Sequence, residues 1–149
     1  MTLMERLWRW WPHKDINKGG SVYLRRHHLT PPRHTWWRLF LHLIKRPDDD
    51  RDPHDHPFSF YTLILSGGYW EAVYETKDQL EGRTQPLVRF LGPGTLIYRR
   101  AAHIHRVLLT GPTWTLVLAS PERRVWGFWR GSTFLPEVEY LGRDDAACM

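Results

Sequence analysis

Apolar residues gather along this chain in short runs of five to nine positions, and glycine, proline and polar clusters separate them. Runs of that length, rich in aromatic and branched side chains, fit strands better than helices. They predict strands over residues 22–29, 36–44, 58–65, 69–76, 87–91, 95–100, 105–110, 113–120 and 125–130. Turn chemistry falls between them. Ser66-Gly67-Gly68, Gly92-Pro93-Gly94 and Gly111-Pro112 mark tight connections, and Thr76 to Pro86 reads as a longer polar one. The one helical pattern lies at the start. Leu3, Leu7 and Trp10 or Trp11 recur at helical spacing, so a short amphipathic helix is expected over residues 1–11, stopped by Pro12. Many short, evenly spaced strands describe an all-β sandwich or small barrel. No internal repeat, low-complexity tract or interdomain linker interrupts the pattern.

Composition agrees with that picture. A chain of 149 residues with 42% hydrophobic content can bury one core and is short for two domains, so a single domain over 1–149 is expected. Nine Trp, six Tyr and six Phe add to the strand preference. No apolar stretch reaches membrane-spanning length, and MTLMERLWRWW carries Glu5 where a signal peptide needs a clean apolar stretch, so the expected location is cytoplasmic. The one cysteine, Cys148, has no intramolecular partner and is expected to be an inert tail residue.

Charge is uneven. Residues 1–46 hold ten Lys or Arg against two acids, whereas residues 47–149 hold eleven against fourteen. A basic face can attract nucleic acid or an anionic membrane surface. No nucleic-acid motif accompanies it, so a solvated arginine-rich surface is the expectation, with no nucleic-acid or membrane partner.

The chemistry concentrates in DPHDHPFSFYTLILSGG, residues 52–68. On an extended chain, side chains at i and i+2 share a face, so His54 and His56 can point together into whatever the segment encloses. A second pair, His103 and His105, stands about fifty residues on, again beside a probable strand and near glycine turns. Buried imidazoles need partners for both nitrogens. Two such pairs therefore point to a metal site, the alternative being a metal-free pocket lined with histidines. Asp55 should face away from its neighbours, and DDDRD reads as a solvated loop. His42 either lines the pocket or is a histidine satisfied within the core.

These phrases resemble the cupin superfamily. Its first motif places His-x-His, four residues, Glu, six residues and Gly; here His54 and His56 are followed at that spacing by Tyr61 and Gly68, with tyrosine in place of the Glu. Its second motif runs Gly, five residues, Pro-x-Gly, two residues, His, and GTLIYRRAAHIH matches the spacing from Gly94 to His105, with Arg100 and Ala102 replacing the Pro and Gly. The resemblance covers about residues 35–130, and HDHPF, HRV and RRVWGFW resemble an uncharacterised group within it. It implies a double-stranded β-helix, the cupin jelly roll, over 22–130, with 1–20 as an N-terminal extension and 131–149 as a tail. It also implies a mononuclear metal held by His54, His56 and His105. Strand parity alone puts Phe60 and Thr62 beside His56; on the resemblance, a bulge at Pro57 turns Tyr61, Leu63 and Leu65 inward. His103 is then a fourth ligand, an acid/base acting behind the ligands, or a structural residue.

Three neutral imidazoles leave open positions on a metal. An all-histidine set is similar to the thiol dioxygenases, which makes Fe(II) the expected ion, with Zn, Mn or Ni as alternatives. The implied function is an Fe(II)-dependent dioxygenase of a small molecule, with His103, Tyr61 and Tyr98 as candidate catalytic groups and Arg99, Arg100 or Arg106 as candidate carboxylate holders. Two other classes compete. One is a sugar isomerase or epimerase using His103 as base and Tyr61 or Tyr98 as acid; the other is a non-enzymatic module binding a small molecule or nucleic acid. Exposed strand edges make a homodimer reasonable.

Overall fold

A computed structural model of the protein describes residues 13–18, 21–31, 35–47 and 52–142. The N-terminal helical pattern and Cys148 lie outside those residues. Strands appear in chain order as β1 (His13–Lys18), β2 (Ser21–His28), β3 (Arg38–Ile44), β4 (Phe60–Ser66), β5 (Tyr69–Tyr74), β6 (Leu87–Leu91), β7 (Leu96–Arg99), β8 (Ile104–Leu109), β9 (Thr113–Ala119), β10 (Gly127–Arg130) and β11 (Thr133–Pro136). Two short helices, α1 (Lys77–Leu80) and α2 (Glu137–Leu141), complete the described elements.

The architecture is an all-β jelly roll of antiparallel sheets. One sheet runs β1-β2-β3-β9-β4-β7. The other begins as β6-β5-β8 and continues through the segment around His54 to β10-β11. That segment cannot be a full strand, because Pro53 and Pro57 lack the N–H a ladder needs. It pairs where it can: His54 exchanges both backbone bonds with His105 at 3.0 Å, Asp55 N donates to Gly127 O at 3.0 Å, and Trp129 N donates to Pro53 O at 2.8 Å. His54 and His105 are thereby fixed as cross-strand neighbours by the backbone.

The glycine turns carry the chain between sheets. Ser66-Gly67-Gly68 takes it from β4 to β5, Gly92-Pro93-Gly94 from β6 to β7, and Gly111-Pro112 from β8 to β9. Gly67 has φ of 85°, and a Cβ there would stand 2.5 Å from the carbonyl oxygen of Pro112, so only glycine fits this corner.

Inward-facing positions follow the period of two. On β3 they are Arg38, Phe40 and His42, and register sets Phe40 against Val117 and His42 against Thr115 on β9. Phe40, Phe58, Phe60, Val117 and Ala119 form one apolar cluster. Ile64, Tyr69, Leu91, Ile97 and Val107 form another. Full burial of one such side chain stabilises the fold by about 1.5–3 kcal/mol.

The sheets extend beyond the expected 22–130 barrel. β1 pairs with β2 from His13↔His27 to Lys18↔Ser21, and β11 pairs with β10. HKDINK is too polar to read as a strand from its own pattern, yet Ile16 is buried and Asp15 receives two bonds from Arg25, at 2.7 and 2.9 Å. Within the polar connection from Thr76 to Pro86, Thr76 and Gln79 form a reciprocal capping box that supports α1. No helix among the described residues is long and apolar enough to cross a membrane.

Candidate metal centre

His54, His56 and His105 converge inside the barrel. Their ring centroids are 5.0 Å apart for His54 and His56, and 4.9 Å for each of the other two pairs. One ring nitrogen from each lies within 4.8 Å of the other two, so the trio could hold a metal ion. The cross-strand bridge places His54 beside His105. His56 is set by its backbone N–H, which donates to Ala101 O at 2.9 Å. Phe60 packs at the edge of the His56 ring, with centroids 4.7 Å apart.

The donor set fits a dication. His56 Nδ1 is buried and meets no hydrogen-bond partner among the described residues, which an imidazole avoids unless something else takes its lone pair. Burial holds the His56 imidazole well below its ordinary pKa, and its histidine neighbours push in the same direction. Burial also lowers His105 to about 4, against an opposing hydrogen bond to Glu71. Both rings are therefore neutral at physiological pH, the state in which imidazole binds metal.

Glu71 on β5 organises the rear of the site. It is buried, and its Oε1 lies 2.7 Å from His105 Nδ1 and 3.3 Å from His103 Nε2. Arg99 of β7 meets both carboxylate oxygens, with Nε donating to Oε1 at 3.0 Å and Nη2 bonded to Oε2. Burial works to raise the Glu71 carboxyl, but the bonds from His103, His105 and Arg99 outweigh it and hold the group far below the ordinary carboxylate range. An ionised carboxylate only accepts, so Nδ1 of His105 carries the proton and Nε2 is left for a metal. Glu71, His103 and His105 also make a second group with metal-ligand spacing.

The histidine trio borders a cavity of about 130 Å³ that Glu71 does not line. Its walls include Phe58, Phe60 and Val117 from one apolar cluster and Tyr69 and Val107 from the other, so it sits between them. Burial raises the Tyr69 hydroxyl above its ordinary pKa, with Glu71 adding to the effect, so it remains a donor.

No family model matches the sequence, and no curated protein matches it. Solved structures do match by shape. The polyketide cyclase RemF from Streptomyces resistomycificus superposes with a TM-score of 0.58 at 16% identity, covering 94% of each chain. An RmlC-like cupin from Shewanella frigidimarina gives 0.54 at 16% identity, over 78% of this chain and 88% of that one. Fe(II)-HppE with the alternative substrate (S)-1-HPP gives 0.56 at 12% identity over 74% of this chain, which spans 56% of the HppE chain's length. The chain has the cupin fold.

Within this fold the motif residues divide. His54, His56 and His105 come together. Tyr61 and Tyr98, expected near the metal, do not: they lie 42% and 48% exposed on the outer face of the first sheet, paired across β4 and β7 with ring centroids 4.9 Å apart. The expected bulge at Pro57 is absent. Phe60, Thr62 and Ile64 continue the inward parity, and the one irregularity of β4 falls later, between Ile64 and Ser66. Continuous pairing with β7 and β9 holds the strand to the simple period and leaves Phe60 and Thr62 lining the cavity.

His103 precedes β8 and faces Glu71, apart from His54 and His56. Asp55 does face away from its neighbours. It is buried and accepts from Gly127 N at 2.8 Å and Trp129 Nε1 at 3.3 Å, with Arg124 at 3.0 Å. Arg99, a candidate carboxylate holder, is already engaged by Glu71. Sequence reasoning missed Glu71, Tyr69 and Arg26. Glu71 sits in YWEAVYET, where the inward parity of Tyr69, Glu71 and Val73 was the available signal.

Proposed function

We propose that the protein is a mononuclear metal cupin in which His54, His56 and His105 hold Fe(II) for the oxygen-dependent oxidation of a small molecule, as a dioxygenase. The observation that carries this reading is the combination of an orphaned buried nitrogen on His56 with a carboxylate that pins His105 through its other nitrogen. That arrangement supports a ligand set, because outer partners orient imidazoles and raise their basicity toward a metal. HppE, one of the proteins with the same fold, is an Fe(II) protein.

Ferrous iron, when bound, supplies oxygen activation, and the protein supplies binding and orientation. His105 is held in one tautomer by Glu71. The apolar walls restrict water, and the Tyr69 hydroxyl offers a hydrogen bond to a substrate in the cavity. The isomerase reading is less well supported. The tyrosines that it drew on, Tyr61 and Tyr98, stand outside the barrel, and its base, His103, is engaged by Glu71.

The test is elemental analysis of protein purified without oxygen, followed by oxygen uptake against small-molecule panels. Iron at one equivalent, with uptake that disappears on replacement by zinc, is the expected result. Turnover of a sugar by zinc-loaded protein without oxygen would overturn it.

A further inference from the structure

Arg26 lines the cavity that the metal trio borders, at 7% exposure. Its Nε–H donates to His42 Nε2 at 2.9 Å, and its guanidinium lies over the Phe40 ring, 4.5 Å from the centroid. His42 is neutral, held well below its ordinary pKa by burial and by Arg26 itself. These contacts fix the side chain but leave its charge unanswered. Among the described residues no carboxylate bonds it, and its one side-chain hydrogen bond is the one that Nε makes to His42.

Two arginines elsewhere in the barrel do have carboxylates. Arg99 has Glu71, and Arg38 has Glu122 at 3.3 Å. Burial lowers Arg26 to about 10, with nearby Arg38 adding to the effect and Glu122 opposing it, so it remains charged at neutral pH. A buried cation without a counter-charge is costly, and a guanidinium is shaped to take a carboxylate in a bidentate grip.

We propose that Arg26 is the anion-binding residue of the cavity and that the substrate is a small carboxylate, gripped by Arg26 at one end of the cavity while its other end faces the histidine trio. His42 and Phe40 act as positioning residues for the guanidinium. The cavity's size limits the ligand: a space of about 150 Å³ accommodates benzene, so this one suits an acid of a few non-hydrogen atoms. The location of the reacting end rests on the metal reading above; the anion site itself does not.

The test is calorimetric titration of the full chain with propionate and glycolate, with propionamide and methylphosphonate as controls, in metal-free and zinc-loaded forms. Carboxylates should bind both forms, and propionamide should bind neither. Arg26→Gln should weaken carboxylate binding about 10- to 100-fold, the effect of losing charge-assisted hydrogen bonds. Arg26→Lys should weaken it less, and both should keep the wild-type zinc content. Equal binding of propionamide and propionate by the wild type, or unchanged affinity in Arg26→Gln, would overturn the proposal. So would preference for methylphosphonate, which would assign the site to another anion class. Arg26-dependent binding by protein that never takes up metal would uphold the anion site and remove the metal reading. If Arg26→Gln does not fold, the wild-type comparison of amide with acid still decides.

Discussion

Two groups of side chains meet at His105, and they are built on opposite principles. On one side His54, His56 and His105 present imidazoles to an apolar cavity, with His56 and His105 held neutral and His56 Nδ1 without a protein partner. On the other side Glu71 is saturated by His103, His105 and Arg99, so its lone pairs are already spent within the protein. Both groups have metal-ligand spacing. Spacing alone does not distinguish a site that receives an ion from one that supports it. Unsatisfied donor capacity does: the imidazole side has it and the carboxylate side does not.

The largest expected effect breaks the first group. His56→Ala and His105→Ala should each lose most bound metal, since two remaining imidazoles hold an ion poorly against water; metal analysis of folded variants checks this. Full occupancy in His105→Ala would show that the ion sits elsewhere. Glu71→Gln attacks the second group. It should lower metal affinity about 10- to 100-fold through the lost hold on His105, read by competition with a chelator. It should also destabilise the fold by about 3–5 kcal/mol in denaturant titration, because Arg99 loses the charge that compensates its burial.

His103→Ala sharpens the comparison. It should retain metal, since His103 bonds Glu71 and touches the trio only at the edge of the His105 ring, with centroids 5.2 Å apart; loss of metal equal to that of His105→Ala would move the ion into the Glu71 group.

Acid should act on both groups in the same direction. His42, His56 and His105 have folded values below the ordinary 6.5. Between about pH 6.5 and 4 the unfolded chain therefore takes up protons that the fold refuses, and stability falls as pH falls. Each buried histidine contributes up to about 1.4 kcal/mol per pH unit in that window. Below about pH 4.5, the ordinary value for Glu71, protonation of its unfolded carboxyl adds to the loss. Thermal unfolding of metal-free protein at pH 7 and pH 5 measures the first part, and a higher midpoint at pH 5 would contradict it. The smallest effect belongs to Tyr61→Glu. On the outer face it should leave metal affinity unchanged, whereas tighter binding would mean that Tyr61 reaches the cavity after all.

Much of this molecule was present in the letters. Periodicity and turn chemistry located nearly every strand from 22 to 130, because half-buried strands record their two faces locally. The i, i+2 rule brought out two histidine pairs, and the cupin resemblance selected His54, His56 and His105 from them; those three converge, while His103 turns to Glu71. What the letters did not carry were relations across sheets. Parity at Tyr61 depended on whether Pro57 made a bulge, and only pairing with β7 and β9 decided that it did not. Inward parity in YWEAVYET could place Glu71 in the interior, but its partner Arg99 is 28 positions away on the other sheet, so nothing local announced an ionised carboxylate held there. Arg26 read as one more member of a basic N-terminal third. The register of β2 against β3 turned it inward against His42, while its neighbour Arg25 remained with Asp15. Local periodicity specifies which face a residue takes; only closure of the barrel specifies what waits on the other side.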